Sequence, residues 1–91
     1  MTEPCYRFIV SGRVQGVYFR QSAAAQARQL RIHGWVRNLP DGRVEGLACG
    51  AATALDQFKA WLRQGPPAAR VDGLQWIASD LRPGTGFEVR R

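Results

Sequence analysis

Much of what usually builds a catalytic site is scarce in this sequence. There is one histidine, His33, and there are two cysteines, Cys5 and Cys49. Seven acidic residues stand singly: Glu3, Asp41, Glu45, Asp56, Asp72, Asp80 and Glu88. One histidine at a helix-to-strand junction gives no local support for a Ser-His-Asp or Cys-His site. Two thiols and one imidazole fall short of a four-ligand zinc site. Scattered carboxylates make neither an acid–base dyad nor an oxygen cage for a hard cation. No Walker loop or dinucleotide fingerprint is present. If the chain is an enzyme, it works with no cofactor, no metal and no covalent intermediate.

Other absences concern location. No apolar run approaches the ~18 residues of a membrane helix. The start, "MTEPCYRF", has an acid and a proline where a secretory signal is basic and then apolar. A small secreted scaffold would carry a denser, even set of cysteines. The expectation is a cytoplasmic protein with no membrane partner. A bridge between Cys5 and Cys49 stays geometrically open, but reduced thiols are expected.

What is present suits one small domain over residues 1–91, since 91 residues leave no room for a second core. Apolar residues are 45% and charged residues 22%, an ordinary soluble composition. The net charge is +6 and Lys59 is the only lysine, so the cations are nearly all arginine. Such a surface attracts anions of any kind; for most of the arginines, plain solvation of the surface is explanation enough.

Hydrophobic periodicity supplies the elements. "CYRFIVS", residues 5–11, alternates Tyr6, Phe8 and Val10 with Arg7, Ile9 and Ser11, a strand pattern. "SAAAQARQLRI", residues 22–32, reads as a helix with Ser22 as N-cap and Ala23, Ala27 and Leu30 on one face. "HGWVRN" and "RVEGLACG" flank Asp41-Gly42, a hairpin turn signal. Residues 52–64 place Leu55, Phe58 and Leu62 on one face of a second helix, stopped by Gly65-Pro66-Pro67. "ARVDGLQWIAS", residues 69–79, is a strand distorted at Gly73. "FEVR", residues 87–90, is a short last strand or an extension. The order β-α-β-β-α-β is the ferredoxin-like, split βαβ arrangement. It implies an α+β sandwich with two helices on one face of an antiparallel sheet of four to five strands. In this reading the first strand is central, with its crossover partner beside it.

The stretch "VQGVYFR", residues 14–20, joins the first strand to the first helix. Amides at a helix N-terminus lack intrahelical acceptors, and the dipole there is positive. Gly16 lets the backbone turn its N–H groups inward as an anion nest. Arg20 adds a planar, permanently charged fork. Tyr18 and Phe19 supply an anchor if at least one enters the core; the spacing leaves open which. On spacing alone this anion-binding reading is only slightly ahead of an ordinary turn with a solvated arginine. Asn38 closes the second strand, on the same face as Gly34 and Val36. It is either a turn-initiating residue or a neighbour of the first loop.

Together these stretches resemble the acylphosphatase family. One motif runs Gly12-Arg13-Val14-Gln15-Gly16-Val17-Tyr18-Phe19-Arg20, and a second runs Gly34-Trp35-Val36-Arg37-Asn38. "DGRVEG", residues 41–46, and "GPPAARV", residues 65–71, extend the match over nearly the whole chain. The resemblance implies hydrolysis of acyl phosphates to a carboxylate and inorganic phosphate, without a metal. It implies that Arg20 binds the phosphoryl group, that the backbone of Gln15, Gly16, Val17, Tyr18 and Phe19 cradles its oxygens, and that Asn38 positions water. It also implies a small-molecule partner and a monomer. Arg31 departs from the family, which often has glycine there as a left-handed helix cap; Cys49 stands where a polar residue is expected. An RNA-binding module shares the element order, but its third strand needs stacking aromatics. "RVEGLACG" has none, so nucleic acid is not expected.

Overall fold

The structure is a computed structural model, and it describes residues 3–91. Its elements are β1 (Cys5–Arg13), α1 (Phe19–Gln29), β2 (His33–Asn38), β3 (Val44–Cys49), α2 (Ala52–Gln64), β4 (Arg70–Ala78) and β5 (Phe87–Val89). The strands form one sheet in the order β4-β1-β3-β2-β5. The fold is the α+β, ferredoxin-like arrangement that the element order implies.

Both helices cover one sheet face. The main core joins Phe8 and Val10 of β1 to Ala23, Ala24 and Ala27 of α1 and to Leu55, Phe58 and Leu62 of α2. The alanine face lets α1 lie close on the sheet. Phe58 is the hinge of the aromatic packing, with Phe8 at 5.7 Å and Phe87 at 5.9 Å between ring centroids.

Three features depart from the sequence reading. The sheet is mixed, because β5 pairs parallel with β2 (Gly34 opposite Phe87, Val36 opposite Val89). A three-residue strand carries no signal of its direction; here Phe87, only 4% exposed, fixes it by entering the core. Next, β3 separates β1 from β2, so the crossover partner of β1 is not its neighbour. The hairpin return strand takes that place, antiparallel to both. Last, Cys5 and Cys49 form a disulfide rather than two free thiols. The β1–β3 register puts them opposite each other with Cα atoms 4.1 Å apart, the close spacing of a non-hydrogen-bonded cross-strand pair. Their sequence separation of 44 gave no hint of this contact.

The ends of α1 also differ from expectation. The helix begins at Phe19, three residues before Ser22, because Tyr18 adopts a left-handed conformation (φ 59°, ψ 29°) and turns the chain there. Ser22 is thus inside the first turn, its N–H donating to the Tyr18 carbonyl at 3.0 Å. At the other end Arg31 has φ 58°. The amide of Ile32 donates to the Ala27 carbonyl and that of Arg31 to the Arg28 carbonyl, the paired bonds of a Schellman cap. An arginine does what glycine usually does there. The expected distortion of β4 lies beside Gly73. Ser11 pairs with Gly73 and Gly12 with Val71, so Asp72 is the extra residue of a bulge.

Among the described residues, no helix is long and apolar enough to cross a membrane.

Candidate active site

At the end of the sheet where β1 and β2 finish, a cleft of about 320 Å³ opens. Val14, Gln15, Gly16, Tyr18, Phe19, Arg20, Gln21 and Asn38 line it. The structure thus brings Gln15, Gly16, Tyr18, Phe19, Arg20 and Asn38 to one hollow, whereas Val17, expected with them, is buried in the core and does not line it. A second hollow, about 260 Å³, lies at the opposite end beside the disulfide, away from every predicted site residue.

The loop is held by side chains that face inward. Val14, Val17 and Phe19 are buried, and Phe19 lies 5.6 Å from the Trp61 ring on α2. Of the two adjacent rings, Phe19 is therefore the anchor, at 2% exposure, while Tyr18 is 78% exposed. Gly16, at φ 74°, makes the turn between these anchors. Holding Tyr18 left-handed costs on the order of 1 kcal/mol.

Gln15 braces the loop from outside. Its Nε2 donates to the carbonyls of Leu39 and Arg43, at 2.8 and 3.0 Å. Those two residues also close the β2–β3 hairpin, Leu39 N–H donating to the Arg43 carbonyl at 2.8 Å. One amide side chain thus ties the loop to the turn that follows Asn38. That tie brings Asn38 to the cleft although β3 lies between the two strands.

The electrostatics favour an anion. Among the described residues, the amides of Gln15 to Gln21 donate to no carbonyl or side-chain acceptor, and the first helical bond comes only at Ser22. They lie at the N-terminal end of α1, where the helix dipole is positive. Among the described residues, Arg20 is the one charged residue lining the cleft, and no carboxylate pairs with it. Its Nη1 donates to the carbonyl of Arg90 at 2.7 Å, which fixes the direction of the guanidinium and leaves its other N–H groups free to bind. Arg90 is itself placed by its amide, which donates to the Val36 carbonyl at 2.8 Å. In the same cleft the Oδ1 of Asn38 is buried, and among the described residues no protein donor reaches it. A buried acceptor without a partner costs about 1–3 kcal/mol, so this is a strong place for a bound hydrogen donor.

Sequence reasoning did not find Gln21 or the Arg90 carbonyl. Gln21 follows from a helix that starts at Phe19. The Arg90 contact depends on the parallel docking of β5 and had no local signal.

The family model for acylphosphatases matches residues 6–89. The acylphosphatase of Anaeromyxobacter dehalogenans is 54% identical over 88 residues, covering 92% of this chain and 91% of that one. The structure of an acylphosphatase from Coxiella burnetii superposes with a TM-score of 0.93 at 40% identity, covering 98% and 94% of the two chains. That of the Bacillus subtilis acylphosphatase gives 0.91 at 38% identity, covering 97% and 99%. With a family match across nearly its full length, relatives above half identity and the same fold, the chain belongs to the acylphosphatase family and is a hydrolase.

Proposed function

We propose that the chain hydrolyses the carboxyl–phosphate bond of acyl phosphates, releasing a carboxylate and inorganic phosphate. Arg20 and the amides of Gln15, Gly16, Val17, Tyr18 and Phe19 hold the phosphoryl oxygens, and Asn38 orients the attacking water. The observation that carries this reading is the buried Oδ1 of Asn38, unpartnered among the described residues and set in one cleft with free amides and a single arginine.

An acyl phosphate is a mixed anhydride with a stable carboxylate leaving group. Its hydrolysis asks for charge stabilisation and alignment more than for acid–base chemistry. The water oxygen bonds to phosphorus while the bond from phosphorus to the acyl oxygen breaks. The electron pair leaves with the carboxylate. Asn38 is no base at neutral pH; its Oδ1 accepts one water hydrogen and turns a lone pair toward phosphorus. The water proton passes to a phosphoryl oxygen. Preorganised donors of this kind are each worth on the order of 3 kcal/mol, so the loop and Arg20 can supply most of what the reaction needs without a metal. In this reading the protein is a cytoplasmic monomer acting on a small diffusing substrate. The Cys5–Cys49 bond withdraws the thiol argument for that compartment.

Loss of benzoyl phosphate in the presence of chelator tests the proposal. Turnover should persist. Arg20→Gln and Asn38→Ala should each lower kcat by at least roughly 100-fold, with circular dichroism unchanged. Inhibition by inorganic phosphate should weaken in Arg20→Gln and survive in Asn38→Ala. A reaction stopped by chelator, or a wild-type rate in Arg20→Gln, would refute the mechanism.

A further inference from the structure

The phosphoryl group does not fill the cleft. Taking liquid water at about 30 Å³ per molecule as a scale, a phosphoryl group of about two waters' volume and one water occupy roughly a third of the cleft's 320 Å³. The acyl part of the substrate must lie in the rest or at the mouth. Most of the apolar lining is turned away: Val14 and Phe19 are 1% and 2% exposed and face the core. Tyr18 is different. The residue is 78% exposed and belongs to the lining of the same cleft, two residues from Arg20.

Two features of Tyr18 work against the fold. Its backbone is left-handed, which glycine or asparagine would adopt with less strain. Its ring gains little from burial, since the core takes Phe19 instead. A residue that is poor for folding on both grounds, at the rim of a binding cleft, points to the ligand. The ring stands on the loop that holds the phosphoryl group, so its attachment point lies close to the reacting centre.

We infer that the Tyr18 ring is the platform for the acyl group, and that it makes aromatic or other planar apolar acyl phosphates better substrates than acetyl phosphate. This rests on the acyl phosphate reading above and adds the specificity of its other half. Tyr18 is a specificity-determining residue through its side chain, while its amide serves the phosphoryl cradle. Contact between two rings of ordinary strength is worth roughly 3- to 10-fold in kcat/KM.

The test compares kcat/KM for benzoyl phosphate and acetyl phosphate in the wild type, Tyr18→Phe and Tyr18→Asn. Asparagine tolerates the left-handed conformation, so it removes the ring and keeps the turn. The benzoyl-to-acetyl ratio should hold in Tyr18→Phe and fall roughly 3- to 10-fold in Tyr18→Asn, through a higher KM for benzoyl phosphate. Competitive inhibition by inorganic phosphate reads the cradle separately. An unchanged ratio in Tyr18→Asn sinks the inference, and so does a phosphate inhibition constant that rises in step with the benzoyl KM, which would mean a deformed loop. A wild type that turns over neither substrate overturns the acyl phosphate reading itself, and this one with it.

Discussion

Arg31 and Tyr18 bracket α1 with the two left-handed non-glycine residues of the described chain. They pose different problems. Tyr18 stands at the cleft, whereas Arg31 is an exposed helix cap far from it in the chain. A left-handed L-residue costs about 1–2 kcal/mol, and glycine's extra freedom in the unfolded chain costs about 0.5–1 kcal/mol. Arg31→Gly should therefore stabilise the fold by roughly 0.5–1 kcal/mol. The measurement is the urea midpoint at unchanged slope; a fall in the midpoint would show that the arginine side chain contributes more than its backbone costs. The sequence marked Arg31 as a departure from the family. The backbone angle that makes it costly was not legible, because a capping conformation depends on where the helix stops. The same is true of Ser22, whose type suits a cap and whose position lost that role when the helix began earlier.

Within the elements, periodic patterns and the Asp41-Gly42 turn signal were enough to find both helices and the first four strands, with β5 left as a strand or an extension, and α2 has the predicted bounds. What those patterns do not encode is which strand lies beside which. Glu45 illustrates this. Read along β3 it is a lone acid on a strand; in the sheet it is nearly buried between Arg7 on β1 and Arg37 on β2. Arg7 Nε donates to its Oε2 at 2.7 Å and Arg37 Nε to its Oε1 at 2.8 Å. Burial pushes the carboxyl pKa up, but the two guanidinium groups outweigh it and hold the group below its ordinary value of 4.5. Because the folded value is the lower one, the pairing adds its full stability above about pH 4.5 and loses it as pH falls through the folded value. Urea midpoints measured from pH 7 down to pH 3 should show this loss. Glu45→Gln should flatten it and cost about 1–2 kcal/mol at pH 7, the lower end being favoured because both arginines are almost half exposed to salt and water. An equally steep acid loss in Glu45→Gln would assign it to other groups.

Over the molecule as a whole, the sheet separates two jobs by the length of β1. Its Cys5 end carries the disulfide and a small apolar cluster with Leu47, Cys49 and Trp35 on the face without helices. Its Arg13 end leads into the cleft. Nine residues of strand put roughly 25 Å between them. A cross-link closing a loop across a separation of 44 constrains the unfolded chain by about 2–4 kcal/mol. Reduction should lower the denaturation midpoint accordingly, while turnover by the protein that stays folded keeps its kcat and KM. A loss of kcat in step with reduction, well below the unfolding transition, would show that the two ends are coupled. The candidate site was largely legible because its loop, Arg20 and Asn38 sit in contiguous strings with local chemical meaning. The disulfide and the Arg90 carbonyl were not, since each depends on strand register across the whole fold.

The tether between Arg20 Nη1 and the Arg90 carbonyl makes the two ends of the sheet unequal for anyone handling the protein. A purification handle, fluorophore or surface linker added after Arg91 hangs one residue from the group that orients this guanidinium. The same addition ahead of Cys5 hangs from the opposite end of the sheet. Labels for kinetic work belong there.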